Sequence, residues 1–290
     1  MNKTLVILNP AARGEKASRF QDKVRGICRG ADLELTSRPG DARRIAAQAV
    51  ASGFDTVVAA GGDGTINEVV NGVAGSGVRM GILPMGTVNV LAKEIGIPEG
   101  DLAAAWQVVE RGHTLALDLP QANDQYFIQL AGVGLDAEVV RSTNLDLKKT
   151  LGPLSYILTL VQLAAAKPPR VIVEAPGWGE RECCFALIGN GRLYGGPFPL
   201  FKRASLNDGL LDVVVFKNQS HWDVIRYFQA IAFGTHPELH DVEYFQTPSL
   251  FVRSSCEVPV ELDGEVAGSL PCEFRLAPHK LHVLAPRAAV

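Results

Sequence analysis

Short apolar runs and amphipathic stretches alternate through the first third of the chain. The runs are Leu5–Leu8, Thr56–Ala60 and Met80–Leu83, each bounded by Gly, Pro or Asn. Unbroken apolar runs of this length are typical of strands that are buried on both faces of a parallel sheet. Gly40–Ser52 and Ile66–Val73 carry apolar residues at helical spacing, which predicts crossover helices. The alternation therefore predicts an α/β domain.

After about Leu117 the pattern changes to strand-like segments that are separated by turn signals. These segments are Tyr126–Ala131, Arg170–Glu174, Cys183–Ile188, Leu211–Phe216 and Val258–Leu262. Two helical segments interrupt them, the charge-free Leu151–Ala166 and Trp222–Phe233, which ends at Gly234. In the first part, Asp101 predicts the start of a further helix that ends at Gly112. We therefore predict a mostly β second domain.

The length supports two domains. At roughly 150 residues per domain, 290 residues suffice for two. We place the first domain at residues 1–118 and the second at 119–279, with a hinge near Asp118. The final strand, near Lys280–Leu284, is expected to return to the first domain, so that residues 280–290 rejoin it.

Composition and charge exclude some classes of protein. With 47% hydrophobic and 20% charged residues and a net charge of -3, the chain is globular and lacks the basic excess of a nucleic-acid binder. Thr4–Leu8 is too short for a signal-peptide core, and we expect a cytoplasmic protein. Leu151–Ala166 is shorter than the roughly 20 residues that span a bilayer, so we expect no transmembrane segment. It either covers one face of the β domain or contacts a membrane surface or lipid.

The strongest local motif lies where a buried strand meets an amphipathic helix. Three glycines allow a close backbone approach, and the free N–H groups of a helix start receive phosphate. The candidate nucleotide contacts here are Gly61, Gly62, Asp63, Gly64, Thr65, Asn67 and Glu68. Asp63 could order the loop or help to hold Mg²⁺. The alternative is a Gly-rich turn with Asp63 as the helix N-cap.

Two further loops follow buried strands in the same way. Gly86 and Thr87 come after Met80–Leu83, and Thr87 either binds phosphate or caps the next helix. Asn9 and Arg13 follow the first strand, and Arg13 could meet phosphate charge. Loops at the carboxyl ends of parallel strands meet at one crevice, so three such loops predict a nucleotide site. The G-x-x-x-x-G-K-[ST] motif is absent.

Three motifs of the second half have structural alternatives. Asp263-Gly264 lies between two strand-like segments and, taken alone, predicts a hairpin turn. Asn207-Asp208-Gly209 also predicts a turn before a strand. Gly132-Val133-Gly134 matches a dinucleotide-binding pattern, but it lies in the β half without the acidic residue expected further along. We assign Gly132-Val133-Gly134 a structural role, and a dehydrogenase is the last of the alternatives.

In combination, these residues resemble the catalytic domain shared by diacylglycerol kinases, sphingosine kinases and related bacterial lipid kinases. The markers are Asn9-Pro10, Gly61-Gly62-Asp63-Gly64-Thr65, Gly81-Ile82-Leu83-Pro84 with Gly86-Thr87, and Leu262-Asp263-Gly264-Glu265. The resemblance covers nearly the whole chain. It implies an N-terminal Rossmann-like α/β domain, a larger C-terminal β-sandwich domain, and a nucleotide site in the interdomain cleft.

The resemblance also implies residue roles. It places ATP contacts at Asn9, Thr36, Gly62 to Asn67 and Thr87, and the catalytic acidic pair at Asp263 and Glu265 near the acceptor hydroxyl. A structural Mg²⁺ would be held by the Ser205 carbonyl, the Asp208 carboxylate and the Leu210 carbonyl. Val90 stands where many relatives carry Asp, which removes one carboxylate near the nucleotide.

The function expected from this resemblance is ATP- and Mg²⁺-dependent phosphorylation of a lipid hydroxyl by a peripherally membrane-associated enzyme. Diacylglycerol, phosphatidylglycerol and sphingoid bases all remain as acceptors, and a homodimer is left open. The nearest alternative is an NAD kinase, because that family is similar around the GGDGT loop. A nucleotide or lipid sensor without catalytic activity is the second alternative, and retention of Asp63 and Asp263 argues against it.

Overall fold

The computed structural model describes residues 3–10, 17–142 and 168–287. Arg13 and Leu151–Ala166 lie outside these residues, so the predictions made for them remain predictions. The chain divides into two compact units. The first comprises Met1–Leu119, Gly195–Pro197 and Ala277–Val290, and the second comprises Pro120–Tyr194 and Phe198–Leu276.

The described residues form twenty strands and seven α-helices. The strands are β1 Thr4–Leu8, β2 Asp32–Leu35, β3 Thr56–Gly61, β4 Arg79–Pro84, β5 Thr114–Leu117, β6 Pro120–Ala122, β7 Gln125–Tyr126, β8 Leu130–Val133, β9 Val171–Ala175, β10 Gly179–Cys183, β11 Phe185–Gly189, β12 Leu193–Tyr194, β13 Phe198–Pro199, β14 Leu211–Phe216, β15 Val242–Thr247, β16 Ser249–Ser254, β17 Pro259–Leu262, β18 Glu265–Ser269, β19 Cys272–Leu276 and β20 Leu281–Leu284. The helices are α1 Ala17–Ile27, α2 Asp41–Ala51, α3 Asp63–Val73, α4 Val90–Glu94, α5 Leu102–Arg111, α6 Leu135–Ser142 and α7 His221–Phe233.

The first unit contains a sheet in the order β2-β1-β3-β4-β20-β5. Strands β2, β1, β3, β4 and β20 pair in parallel, and β5 pairs with β20 in antiparallel orientation. The strands predicted at Leu5–Leu8, Thr56–Ala60 and Met80–Leu83 are confirmed, and β3 is buried along its whole length. Such complete burial explains why their sequences are apolar without alternation.

The ends of the predicted helices follow ordinary capping chemistry. Asp101 accepts N–H bonds from Ala103 and Ala104 at the start of α5, at 3.0 and 3.1 Å, and Gly112 ends this helix with a φ of 68°. Helix α7 begins in a reciprocal capping box between Ser220 and Asp223 and ends at Gly234. Both helices are confirmed at the termini that the sequence predicts.

The second unit is a sandwich of two antiparallel sheets. Their orders are β10-β9-β16-β19-β6-β7 and β15-β14-β11-β8-β17-β18. Side chains of both sheets meet in one core, to which Val173, Val213 and Phe274 belong. The outer face of the second sheet packs against α7, so β14 is buried on both faces. The predicted fold class, an α/β domain followed by a β-sandwich domain, is confirmed.

Two strands were predicted wrongly as continuous segments. Tyr126–Ala131 is split into β7 and β8, and Cys183–Ile188 is split between β10 and β11. In each case the chain passes from one sheet of the sandwich to the other. The apolar run continues across the break because residues on both sides of it, such as Phe127 and Ala131 or Cys183 and Ala186, belong to the same core. Periodicity alone therefore does not reveal the change of sheet.

In the described part of the chain, no helix is long and apolar enough to cross a membrane.

Candidate functional site

The polar loops of the first unit lie at one edge of its parallel sheet. Asn9 follows β1, Thr36 follows β2, Gly61 ends β3, and Gly86 and Thr87 follow β4. Because these strands are parallel, their carboxyl ends meet at the same edge. Backbone bonds fix the order of the loops: Asn9 N–H donates to the Ala60 carbonyl and Thr36 N–H donates to the Leu8 carbonyl, each at 3.0 Å.

Helix α3 begins at this edge without a side-chain cap. Its N-cap is Gly62, which has no side chain that could accept the N–H groups of the first turn. The alternative of Asp63 as the N-cap is therefore wrong. Its carboxylate instead accepts the N–H groups of Asn89 and Val90, at 2.9 and 2.7 Å. Asp63 thus ties the loop after β3 to the loop after β4.

Burial governs the protonation of Asp63. Loss of water around the side chain raises the pKa of Asp63 above its ordinary value, and the N–H bonds from Val90 and Asn89 act in the opposite direction. Val90, at the position where the resemblance implies an acidic residue, contributes its backbone N–H to Asp63. The substitution removes a carboxylate but not this contact, because any residue except proline supplies a backbone N–H.

The two glycine loops approach each other too closely for side chains. A Cβ on Gly86 would lie 2.6 Å from the Cα of Gly62, and a Cβ on Gly62 would lie 3.1 Å from the Cα of Gly86. The Met85 N–H also donates to the Gly61 carbonyl at 2.8 Å. The glycines therefore bring the backbone of the two loops together at the start of α3.

Other predicted contacts are held by side-chain bonds. The Asn9 amide donates to the Thr65 hydroxyl at 3.1 Å, which joins the loop after β1 to the first turn of α3. The Asn71 amide donates to the side-chain oxygen of Asn67 at 3.1 Å. Thr87 is exposed and does not cap α4, whose N-cap is Asn89. Thr87 therefore remains available as a hydroxyl contact.

Glu68 has a different environment from the other predicted contacts. Its carboxylate accepts the N–H groups of Gly40, Ala42 and Arg43, at 2.8, 2.9 and 3.4 Å. These groups lie at the start of α2, where the helix dipole favours negative charge. Glu68 thus caps α2 from α3, and its carboxylate is engaged with backbone.

We expect Glu68→Ala to lower the free energy of unfolding by ~1–2 kcal/mol, because it leaves N–H groups at a helix start without their charged partner. Urea denaturation measures this change. Asp22→Ala, which removes an exposed carboxylate from α1, is the matched control and should change stability by less than ~0.5 kcal/mol. Equal stability of the two variants would contradict the capping role.

In the second unit, Asp263 lies in the turn between β17 and β18. Asp263 and Gly264 have φ values of 49° and 87°, and Leu262 pairs with Glu265 across the two-residue turn. The hairpin predicted from Asp263-Gly264 is thus confirmed. The Asp263 carboxylate accepts three backbone N–H groups, from Ile128, Gln129 and Leu130, at 2.8, 2.9 and 3.1 Å. It is fixed against the segment that connects β7 with β8.

Glu265 differs from Asp263 in exposure. It is the first residue of β18 and its side chain is exposed, whereas Asp263 is half-buried. The turn thus presents two carboxylates two residues apart, one fixed by backbone bonds and one at the surface. The exposed carboxylate has the better access to an incoming hydroxyl group.

Comparison with known proteins matches both parts of the chain. Residues 3–122 match the diacylglycerol kinase catalytic domain, and residues 129–285 match the YegS C-terminal NAD kinase beta sandwich-like domain. The chain belongs to the diacylglycerol kinase family of bacterial lipid kinases. It is therefore a phosphotransferase of the lipid kinase type, as the resemblance predicted.

Individual members of this lipid kinase family match over most of their length. A diacylglycerol kinase of Bacillus subtilis (strain 168) is 34% identical over 99% of this chain and 97% of its own. A diacylglycerol kinase of Mycobacterium tuberculosis (strain H37Rv) is 32% identical over 85% of this chain and 82% of its own. A solved structure from Bacillus anthracis str. Sterne, described as a candidate diacylglycerol kinase, has a TM-score of 0.85 at 26% identity and covers 100% of this chain and 97% of that one.

The metal ligands predicted for this lipid kinase lie in the turn before β14. Asp208 Oδ1 accepts the N–H of Leu210 at 3.0 Å, and the Ser205 hydroxyl donates to Asn207 at 3.0 Å. Residues 3–10, 17–142 and 168–287 contain no cluster of three or more His, Cys, Asp or Glu side chains that could hold a metal. A Mg²⁺ here would depend on the two carbonyl groups, the Asp208 carboxylate and water, so this site stays a prediction.

The dinucleotide-like pattern has a structural explanation in this lipid kinase. Gly132 and Val133 lie in β8, which pairs in antiparallel orientation with β11 and β17. A Cβ on Gly132 would lie 2.4 Å from Asp136 Oδ2 and 2.8 Å from Glu261 Oε1. Gly132 therefore makes room for two buried acids.

Sequence reasoning missed two contributors to these sites. Asn89 adopts a left-handed conformation, and its side chain both accepts from the Gly86 N–H and donates to the Gly86 carbonyl, at 2.8 and 2.9 Å. An Asn shortly after a Gly-Thr pair is a turn signal in the sequence, because Asn tolerates the left-handed conformation. The N–H groups that bind Asp263 carry no such signal, because they belong to backbone more than 130 residues away.

Proposed function

We propose that this protein transfers the γ-phosphoryl group of ATP to the hydroxyl of a lipid, with diacylglycerol as the first acceptor to test. The observation that carries the ATP assignment is the uncapped start of α3, formed by glycine loops at the carboxyl edge of a parallel sheet. Backbone N–H groups at such a helix start bind phosphate. The lipid assignment rests on family membership and on the names of the relatives.

The residues of the first unit fit a nucleotide triphosphate. The N–H groups of Gly64 and Thr65 lie in the first turn of α3, where they can meet phosphate oxygens. Polar side-chain and main-chain groups at the same edge come from Asn9, Thr36 and Thr87. Gly62 and Gly86 leave the space that a Cβ would fill. Gly61 and Asp63 hold the two glycine loops together through backbone bonds. Asn67 lies one turn into α3. The Glu68 carboxylate is occupied by the N–H groups at the start of α2.

Phosphoryl transfer also requires that the negative charge of the phosphate groups is neutralised. Bound Mg²⁺ would neutralise phosphate charge and help to orient the reacting phosphoryl group. Such transfer depends mainly on positioning and electrostatic stabilisation, with modest help from a base. We assign proton acceptance from the lipid hydroxyl to Glu265, because its side chain is exposed, and we assign Asp263 to holding the turn through its three N–H bonds. Asp208, Ser205 and Leu210 remain the proposed structural Mg²⁺ ligands.

The test is transfer of label from γ-labelled ATP with Mg²⁺ into diacylglycerol, phosphatidylglycerol and sphingosine in mixed micelles, with NAD as a soluble acceptor. We expect label in diacylglycerol. Label only in another lipid would correct the acceptor, and label only in NAD would overturn the lipid assignment. ATP binding without transfer to any acceptor would favour a sensor.

A further inference from the structure

Two buried acidic side chains lie behind the turn that carries Asp263 and Glu265. Glu261 on β17 is 1% exposed and Asp136 on α6 is 3% exposed. Both carboxyls face Gly132, whose missing side chain leaves them room. Neither was selected by the sequence motifs, and neither takes part in the proposed transfer.

The hydrogen bonds of this pair define its protonation. The Tyr194 hydroxyl donates to Asp136 Oδ1 at 2.6 Å, and the Gly264 N–H donates to Glu261 Oε2 at 2.7 Å. The remaining oxygens, Asp136 Oδ2 and Glu261 Oε1, face the same space, 2.4 and 2.8 Å from the position that a Cβ on Gly132 would take. Two carboxyl groups form a hydrogen bond only when one of them carries a proton. The network therefore runs from Tyr194 through Asp136 and Glu261 to the backbone of the turn.

Burial favours the protonated state of Glu261. Removal from water raises the pKa of Glu261 well above its ordinary value, and the neighbouring charge of Asp136 raises it further. The charge of Asp263 acts in the same direction. As in other close carboxyl pairs, the proton belongs to the pair, which titrates as a unit.

We propose that Glu261, protonated and bonded to Asp136, is a positioning residue that holds the Gly264 amide and thereby fixes Asp263 and Glu265 for transfer. The inference rests on the proposed function, since it assumes that this turn lies at the acceptor. Gly264 is the residue between the two carboxylates. Asp263 is held by β8 and its preceding segment, whereas Gly264 is held by Glu261, so the turn is fixed from both sides.

In the described part of the chain, the elements that pack against the pair carry further charged groups on α6 and on the hairpin. On α6, Glu138 pairs with Arg141 at 2.7 Å, and Arg141 also lies 3.8 Å from Glu257. On the hairpin, Asp263 and Glu265 are the neighbouring acids. Among the described residues of β8 itself, Leu130–Val133, none is charged. When pH rises and the pair loses its proton, two buried negative charges face each other, and their repulsion displaces the Glu261 carboxylate together with the turn that it holds through Gly264.

The test compares Glu261→Gln with Glu261→Leu. Glutamine reproduces the protonated acid, because its amide donates to Asp136 and its oxygen accepts from Gly264. We expect Glu261→Gln to keep kcat near the wild-type value and to lose the fall in kcat at alkaline pH. Leucine keeps the volume without the bonds, and we expect kcat to fall ~10–100-fold at every pH with an unchanged KM for ATP. Glu138→Gln, on the same helix as Asp136, should leave the pH profile unchanged.

Hydrogen exchange of the Gly264 amide, followed by NMR, tests the tether without any catalytic assay. The Gly264 amide should be protected from exchange in the wild type and in Glu261→Gln at neutral pH. This protection should be lost in Glu261→Leu. Equal activity and protection in the Gln and Leu variants would overturn the proposal, as would a loss in Glu261→Gln as large as that in Glu261→Leu. A protected amide in a wild-type protein that phosphorylates no lipid would reject the proposed function alone.

Discussion

Gly86→Ala is expected to lower kcat/KM for ATP by at least ~100-fold. The added methyl would lie 2.6 Å from the Cα of Gly62, and no flexible side chain can move aside to relieve this contact, because the Gly62 Cα is part of the backbone. The two loops must separate by roughly 1 Å, and misplacement of that size at a reacting group costs about 10²-fold. Isothermal titration calorimetry measures the loss of ATP affinity, and steady-state kinetics measures the change in kcat and kcat/KM.

Gly26→Ala is the matched control for this prediction. Gly26 lies in α1 with nothing within 4 Å of an added Cβ, so alanine fits there without displacement. We expect unchanged ATP affinity and equal or slightly higher stability, since alanine favours helix over glycine by ~1 kcal/mol. Tight ATP binding by Gly86→Ala would show that the nucleotide does not depend on this loop contact, and the assignment of phosphate to the start of α3 would fail.

The buried strands of the first unit were predictable from the sequence, whereas the edge strand β2 was not. β1, β3 and β4 are covered on both faces and therefore leave continuous apolar runs in the sequence. β2 lies at the edge of the sheet with the sequence DLEL and is largely exposed, so it carries no apolar run. An edge strand is specified by backbone pairing with its neighbour, and that pairing has no signature in its own side chains.

The site shows the same division between local and distant determinants. The glycines and the start of α3 could be read from the sequence, because a strand-to-helix turn is local. The role of Asp63 could not, since its partners Asn89 and Val90 follow the next strand. The pairing of Asp136 with Glu261 depends on the register in which Glu261 lies opposite Gly132. Contacts across a sheet become visible only when that register is known.

Glu265→Gln and Asp263→Asn separate the two carboxylates of the turn. We expect Glu265→Gln to lower kcat by ~10²–10⁴-fold, the usual contribution of a general base, with an unchanged KM for ATP. Its stability should stay within ~0.5 kcal/mol of wild type, because the side chain is exposed. Steady-state kinetics with a saturating lipid acceptor, together with urea denaturation, provides both measurements.

Asp263→Asn is expected to lower both activity and stability. An amide nitrogen in place of one carboxylate oxygen faces N–H donors from Ile128 to Leu130 and leaves at least one buried donor without an acceptor. Such a loss costs ~1–3 kcal/mol. Glu257→Gln, an exposed acid in the loop before β17, is the control and should change neither quantity. If Glu265→Gln retained full kcat while Asp263→Asn lost activity without loss of stability, proton acceptance would belong to Asp263. The three N–H bonds would then serve to orient the base, because a fixed carboxylate can still present its remaining lone pairs to a hydroxyl.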